Sequence, residues 1–564
     1  MAAAETGHWD DWVDSSGTAP ARAHHPELLF RDGYLLLRGL APPARLPPPF
    51  RWDPRLELWT AEAWRYRTLQ PLLDRLVADA VPPVPPGRVA EDGPVWETGA
   101  DAPPAQTVRD RVARWHPLDD LAPAEPLTLH PAQRAALRAW WTGKTAEGTV
   151  PDRWGCFELP TGTGKTLLAI ALLRQLALPA LVCVPTIQLM TQWYWELRRA
   201  LGGEIGLLGG GHHLPSDRVT VAVYDSAAIH LERLGDRWAF LVLDEVHHLA
   251  GWHARAALYS CAPYRLGLSA TLDASEATLA TIQELVGPTV YRADLDTFVG
   301  TLLSDYTVQE LKVRLSAAEQ ARYDADMAIY RAFLAEHHLQ PWRESDYAAF
   351  LRLAATTTEG RAAQLAYRRA RTLAQHPEAK FEALGYLLRR HALEPGLVWA
   401  GENRVVLEIA RRFGIPAIVA TTPVRERDWI LQEFRAGRLR AIVSNEVLSE
   451  GLSIGPLRWA VMLSLRSQRR RSVEQKLGRL LRRDPGKQHA ILYQLVAEAT
   501  LDAGLARRRR TPVFRVAGRQ RFAGPADPLA APSPAGLTAP FPSAPAASPA
   551  APAPPPPAGA PEAP

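Results

Sequence analysis

Cysteine is nearly missing from this 564-residue chain. Cys156, Cys183 and Cys261 are too few and too scattered for a disulfide framework or a zinc site, so a reducing cytoplasm is the natural compartment. Long apolar runs are missing as well. Stretches such as 239–243 fall far short of the ~20 residues a membrane helix needs, and no membrane association is expected. The first residues, with Glu5, Asp10, Asp11 and Asp14, lack the basic-then-apolar layout of a secretory leader, so none is expected. Lysine is scarce, six residues against 59 arginines, a bias of the kind a GC-rich genome produces. Each lysine is therefore conspicuous, and one of them is Lys165. Beyond Arg521 charge is almost gone: Asp527 and Glu562 stand alone among proline and alanine. Such a tail buries too little apolar surface to offset its chain entropy, and 522–564 is expected to be disordered.

The length has room for three or four domains, and the 47% hydrophobic content supports sizeable cores. A net charge of +5 and an isoelectric point near 9.1 are compatible with nucleic acid without requiring it. Residues 28–30 and 34–37 read as strands joined at Asp32-Gly33, a hairpin signal, and 61–77 has helical spacing of apolar residues. These make a small α/β unit over 26–80. A proline-rich, acidic linker over 81–126 follows. From 127 to 310, short apolar strands at 180–184, 219–223, 240–243 and 265–268 alternate with helical segments, the signature of a parallel, doubly wound sheet. Residues 316–375 show helical periodicity alone, at 317–336 and 347–374, and 311–375 is read as a helical insertion. A second alternating block fills 376–510, with strands at 397–399, 417–419, 441–443 and 459–463.

The strongest local signal is Leu159-Pro160-Thr161-Gly162-Thr163-Gly164-Lys165-Thr166 before an apolar helix. Tight turns at Gly162 and Gly164 let consecutive backbone N–H groups point at phosphate oxygens, helped by the helix N-terminus. Lys165 supplies a mobile positive charge for the β- and γ-phosphates of ATP, and the Thr166 hydroxyl suits Mg2+. The strict phosphate-loop pattern begins with glycine, where this chain has Leu159. Farther on, the apolar run 240–243 ends in Asp244-Glu245-Val246-His247-His248. A carboxylate at the carboxyl end of a parallel strand points into the crevice beside the phosphate loop. Asp244 is thereby placed for the metal, and Glu245 for orienting and deprotonating the attacking water. An Asp-Glu pair after a strand is ordinarily just solvated, but the phosphate loop upstream changes that balance. His247 reads as a hydrogen-bonding relay, because no further ligand has metal spacing.

A motor also needs its nucleotide clamped between lobes. The second block offers Gln475-Lys476-Leu477-Gly478-Arg479-Leu480-Leu481-Arg482. On a helix, Gln475, Arg479 and Arg482 share one face, and two guanidinium groups suit the charge that develops during phosphoryl transfer. Alone, an arginine-rich helix is more often a solvated face or a nonspecific nucleic-acid patch.

The order of these elements resembles helicase superfamily 2: the loop Gly162–Thr166 as motif I, Asp244–His247 as motif II, Ser269-Ala270-Thr271 as motif III and Gln475–Arg482 as motif VI. Val184-Pro185-Thr186 with Gln192-Trp193 resembles motif Ia, Val223-Tyr224-Asp225-Ser226 motif Ib, and Ser449-Glu450-Gly451-Leu452-Ser453 motif V. Leu129-His130-Pro131-Ala132-Gln133 resembles the upstream element whose glutamine reads adenine. Within the superfamily, Tyr224-Asp225-Ser226-Ala227 with Leu234-Gly235, Asp244–Leu249, Pro263–Leu268 and Phe434–Arg438 resemble the xeroderma pigmentosum B-type helicases, especially their short archaeal and bacterial forms. Residues 27–79 resemble that family's DNA-recognition domain, and 316–375 occupy the place of its thumb.

The resemblance implies two RecA-like lobes, ATP and Mg2+, and 3′-to-5′ helicase or duplex-translocase activity on DNA in repair, in some members with a nuclease partner. It assigns Gln133, Thr161 to Thr166 and Gly451 to the nucleotide. It assigns His247, Ser269 and Thr271 to coupling between sites, and Pro185, Thr186, Asp225, Ser226 and Thr421 to DNA. Two departures stand out. The family's Arg-Glu-Asp element for duplex opening is replaced by Leu272-Asp273-Ala274-Ser275-Glu276, and Lys476 replaces the usual arginine, keeping charge without fork geometry. A duplex translocase of a restriction or defence complex, pumping DNA without separating strands, is the alternative.

Overall fold

The computed structural model describes residues 26–40, 46, 48–70, 109–112, 115–119, 121, 128–272, 274–340, 343–445, 455, 457–463, 477–483, 487, 489–508 and 516–521. Three sheets organise them. The expectations for Gly451, Gln475, Lys476, the 449–453 segment and the tail after 521 lie outside these residues.

The first sheet is small, with strands in the order Arg51–Asp53, Leu58–Glu62, Tyr34–Arg38, Glu27–Arg31 and Arg109–Asp110. Its hairpin turns at Asp32 and Gly33, both at positive φ (51° and 78°), as the Asp-Gly pair predicts. Glu27 is buried between Arg38 and Arg111, which hold its carboxyl below the usual range against the effect of burial. The helix read over 61–77 is corrected at its start, and its residues 71–77 lie outside the described ones. Ala61 and Glu62 end a strand paired with Leu35 and Tyr34, and helical structure begins only at Ala63. Cross-strand pairing overrides helical propensity at that point. The sheet also takes Arg109–Asp110 from the segment read as linker.

The second sheet has eight strands in the order His212–Leu214, Ile205–Gly209, Val219–Val223, Ala180–Val184, Phe240–Asp244, Tyr264–Ser269, Trp154–Glu158 and Thr289–Arg292. All its pairings are parallel except the edge hairpin His212–Leu214. The central strands Ala180–Val184 and Phe240–Asp244 are buried throughout, which is why they read as unbroken apolar runs rather than alternating ones. The third sheet is parallel in every pairing: Ala417–Ile418, Ala441–Ser444, Gly396–Trp399, Trp459–Met462, His489–Ala497, Asp305–Val313 and Val516–Arg521. Two RecA-like lobes and a small α/β unit are thus present. The boundary drawn at 310 between lobe and insertion is not, because it would cut the strand Asp305–Val313, which lies beside His489–Ala497 in the second lobe.

Helices Ala317–Glu336, Glu344–Thr356 and Thr358–Gln375 leave the second lobe after that strand. A Ser316–Glu319 capping box starts the first, and Ala363, Ala366, Ala370 and Ala374 form a small-residue stripe that lets the third lie against it. The single helix expected over 347–374 is broken at Thr357, whose extended backbone and hydroxyl cap the next helix by accepting from Gly360 N at 3.0 Å.

One buried cluster runs without interruption from Leu159 and Leu168 through Phe298 and Leu303 to Leu477, Leu480 and Leu481, so the two lobes share apolar core at their junction. A wholly buried ion pair ties the helix Glu378–Arg390 to the helix Leu501–Arg508. Lys380 Nζ lies 2.7 Å from Asp502 Oδ2 and 2.8 Å from Leu463 O, and both side chains are 0% exposed. Removing one partner strands a buried charge. Lys380→Ala should therefore cost about 3–5 kcal/mol in urea unfolding; a loss below about 1 kcal/mol would show that the pair is not closed.

Candidate nucleotide and coupling site

Gly162 (φ 87°) and Gly164 (φ 82°) give the phosphate loop its left-handed turns, and Gly164 caps the helix Lys165–Leu176. Gly164 is tight: a Cβ there would sit 2.8 Å from Gln133 Nε2. Gln133 is buried behind the loop. Its Nε2 donates to Thr163 O at 2.8 Å, and its Oε1 accepts from His130 N at 2.8 Å as half of a capping box. Its amide thus braces the loop from behind and does not line the cavity. Thr163 is also turned inward, its hydroxyl donating to Pro160 O at 2.7 Å. Lys165 Nζ donates to Leu159 O at 3.0 Å.

A cavity of about 290 Å³ opens in front of the loop. It brings together Thr161, Gly162, Gly164, Lys165, Thr166, Asp244 and Glu245 of the first lobe with Gly478, Arg479 and Arg482 of the second. The lobes meet tightly. A Cβ on Gly478 would lie 2.3 Å from Thr161 O, and one on Gly162 would lie 2.9 Å from Gly478 O. The shared-helix reading for the arginines needs correction. Residues 477–480 are helical, but Arg482 lies past them in an antiparallel bridge with Leu303, and Ser304 N donates to Leu481 O at 2.8 Å. Both guanidinium groups still reach one cavity, because the chain turns back on the connector between the lobes.

Asp244 ends the central strand and is buried. Trp193 Nε1 donates to its Oδ2 at 2.8 Å, and Glu245 N donates to its Oδ1 at 3.0 Å. Burial and the adjacent Glu245 push its carboxyl up to about 6, against the opposing pull of Trp193 and Lys165. Glu245 adopts a left-handed backbone (φ 49°, ψ 52°), which costs a non-glycine residue ~1–3 kcal/mol and turns the chain sharply off the strand. Its carboxylate lies 3.4 Å from His247 Nδ1. That nitrogen also lies 3.2 Å from Ser269 Oγ, which donates to Thr271 O at 2.5 Å. The loop after Asp244 is thereby joined to the 269–271 segment, and His247, Ser269 and Thr271, the residues expected to couple, lie in one run of contacts.

Leu189, Gln192 and Glu196 also line the cavity, and Trp193 holds Asp244. The first three were findable, since spacings of three and four put them on one face of the helix Ile187–Leu201. Trp193 belongs to the motif Ia resemblance, but its hold on Asp244 left no local mark, because that contact spans 51 residues. Pro185 and Thr186 follow the strand Ala180–Val184, and Asp225 and Ser226 follow its parallel neighbour Val219–Val223. All four sit at the same carboxyl edge. Thr186 caps its helix, accepting from Leu189 N at 3.3 Å, and Thr421 is exposed beyond the short strand Ala417–Ile418.

A phosphate loop with an acidic strand end, closed by two arginines from a second doubly wound lobe, defines a superfamily 2 helicase. Residues 28–80 match the xeroderma pigmentosum group B helicase damage recognition domain, 126–274 the type III restriction enzyme res subunit, and 379–484 the helicase conserved C-terminal domain. The chain is 30% identical over 465 residues to the DNA 3′-5′ translocase XPB2 of Sulfurisphaera tokodaii, covering 82% of this chain and 96% of that one. It is 26% identical over 418 residues to the DNA 3′-5′ helicase XPB of Mycobacterium tuberculosis, covering 70% and 67%. Among solved structures, the Hef helicase domain of Pyrococcus furiosus aligns with a TM-score of 0.45 at 18% identity, over 67% of this chain and 98% of that one. The chain belongs to the xeroderma pigmentosum B-type helicase family and is an ATP-hydrolysing enzyme. No helix among the described residues is long and apolar enough to cross a membrane.

Proposed function

We propose that this chain is an ATP-dependent DNA helicase or translocase of repair, moving 3′ to 5′ as its lobes close on ATP and reopen after hydrolysis. The observation that carries this reading is the single cavity in which Lys165, Asp244 and Glu245 of one lobe face Arg479 and Arg482 of the other. Lys165 and the loop amides bind the phosphates, Glu245 orients the attacking water and takes its proton, and the two arginines meet the charge that builds on the transferred phosphoryl group. The hard oxygen set of Asp244 and Thr166 fits Mg2+, with the buried carboxylate poised for a cation. When bound, that ion supplies charge neutralisation at the phosphates. Because both guanidinium groups arrive from the second lobe, hydrolysis requires closure, and DNA that favours the closed form raises the rate by linkage.

The test is ATPase rate with single-stranded DNA, duplex, forked DNA and RNA side by side at two salt concentrations. DNA should stimulate and RNA should not. DNA affinity should fall steeply with salt, because phosphate contacts release counterions. Flank-labelled unwinding and triplex displacement then separate strand opening from translocation. Absence of stimulation by any nucleic acid would overturn the reading.

Trp193 is a positioning residue for the ion. Trp193→Phe keeps the ring and removes the N–H that holds Asp244, so the Mg2+ concentration for half-maximal hydrolysis should rise about 10-fold. An unchanged Mg2+ requirement would remove Trp193 from the site.

A further inference from the structure

We propose that His253 bridges the DNA-facing edge of the first lobe to the loop that carries Glu245, and transmits DNA binding to hydrolysis. The assignment rests on the DNA reading above. His253 lies in the short turn Gly251–Ala254. Its Nε2 is 2.9 Å from Asp225 Oδ1, and its Nδ1 is 3.1 Å from His248 O. Both ring nitrogens therefore face acceptors, and only the doubly protonated ring donates to both.

The two ends of this bridge are different in kind. Asp225 opens the helix Tyr224–Leu234 at the carboxyl edge of the sheet, with its side chain 76% exposed. His248 closes the turn after Glu245 and is preceded by His247, whose ring contacts both Glu245 and Ser269. A second tie runs beside the first: Tyr224, fully inside, donates its hydroxyl to Asp244 O at 3.0 Å, and its ring lies 5.6 Å from that of His253. Consecutive residues of one helix thus grip the catalytic loop, Tyr224 directly and Asp225 through His253. Of the two, Asp225 is the one a phosphate backbone can approach, and a bare carboxylate there would repel it. The His253 ring held against that carboxylate shields it from the phosphates and ties it to the loop. A pair this exposed contributes little to stability, so its effect is on geometry rather than on folding.

The experiment compares the full chain with His253→Leu and His253→Arg, measuring ATP hydrolysis against forked-duplex concentration, DNA-free hydrolysis and melting temperature. His253→Leu should keep its melting temperature and DNA-free rate while its DNA-stimulated kcat falls at least about fivefold, with little change in the DNA concentration for half-maximal stimulation. His253→Arg, which again supplies donors to both acceptors, should restore most of that stimulation. Equal stimulation of His253→Leu and the unaltered chain overturns the bridge. A matching loss of DNA-free rate or melting temperature makes the residue merely structural, and failure of arginine to rescue a defective leucine variant overturns the donor argument. If DNA fails to stimulate the unaltered chain, the DNA reading itself falls and this assignment with it.

Discussion

Replacing Glu245 by glutamine should lower ATP turnover on the order of 10²–10⁴-fold, the range for loss of a positioned general base. Nucleotide binding should survive, because the amide keeps the shape of the carboxylate and the phosphate loop is untouched. ATP should therefore accumulate in the closed form and hold DNA there, so DNA affinity with ATP present rises rather than falls. Lys165→Ala should also abolish turnover, but by a different route. It removes the charge on the phosphates, so nucleotide affinity itself drops. Single-turnover hydrolysis and nucleotide-binding titrations on both variants separate the two defects. Near-normal turnover by Glu245→Gln would take Glu245 out of the mechanism. No change in backbone strain is expected, because Glu245 sits at φ 49°, a conformation glutamine tolerates no better.

Arg479→Ala and Arg482→Ala should each lower kcat on the order of 10³-fold if it acts as an arginine finger, with a much smaller change in nucleotide affinity. The two are not equivalent in the structure. Arg479 belongs to the helical turn 477–480, while Arg482 is held by backbone pairing to Leu303, in the connector whose side chain approaches Gly162. Movement of one lobe against the other therefore moves Arg482 and the connector together. Rapid-quench hydrolysis and nucleotide binding on each variant provide the measurement. Normal hydrolysis with weakened DNA binding in both would assign the pair to a nucleic-acid patch instead.

Much of the nucleotide site was legible because its signals are contiguous. The turn glycines, Lys165 and Thr166 lie within a single loop, and Asp244 and Glu245 follow directly from the buried strand that aims them. Secondary structure was readable in several repeating segments: the strands Ala180–Val184 and Val219–Val223 and the helix Ala317–Glu336 have the ends their periodicity predicts. Other elements were not. Residues 205–209 and 489–497 are strands chosen by their neighbours in the sheet, and Ala61 and Glu62 became strand through pairing with Leu35 and Tyr34. The break at Thr357 carried a local sign, three successive threonines before Gly360, that helical spacing alone passed over.

By itself, then, the sequence determined the chemistry on each side of the cleft: a phosphate loop, a paired carboxylate, and arginines to face them. Tertiary structure alone decided how these groups are held. Trp193 reaches Asp244 across 51 residues, Gly478 packs on Thr161 across more than 300, and Gln133 is drawn behind the loop by Thr163 O. The physical reason is range. Turn chemistry and periodicity arise from interactions within a few residues and leave a mark in any short window, whereas contacts between distant segments depend on which surfaces the packed lobes present to each other.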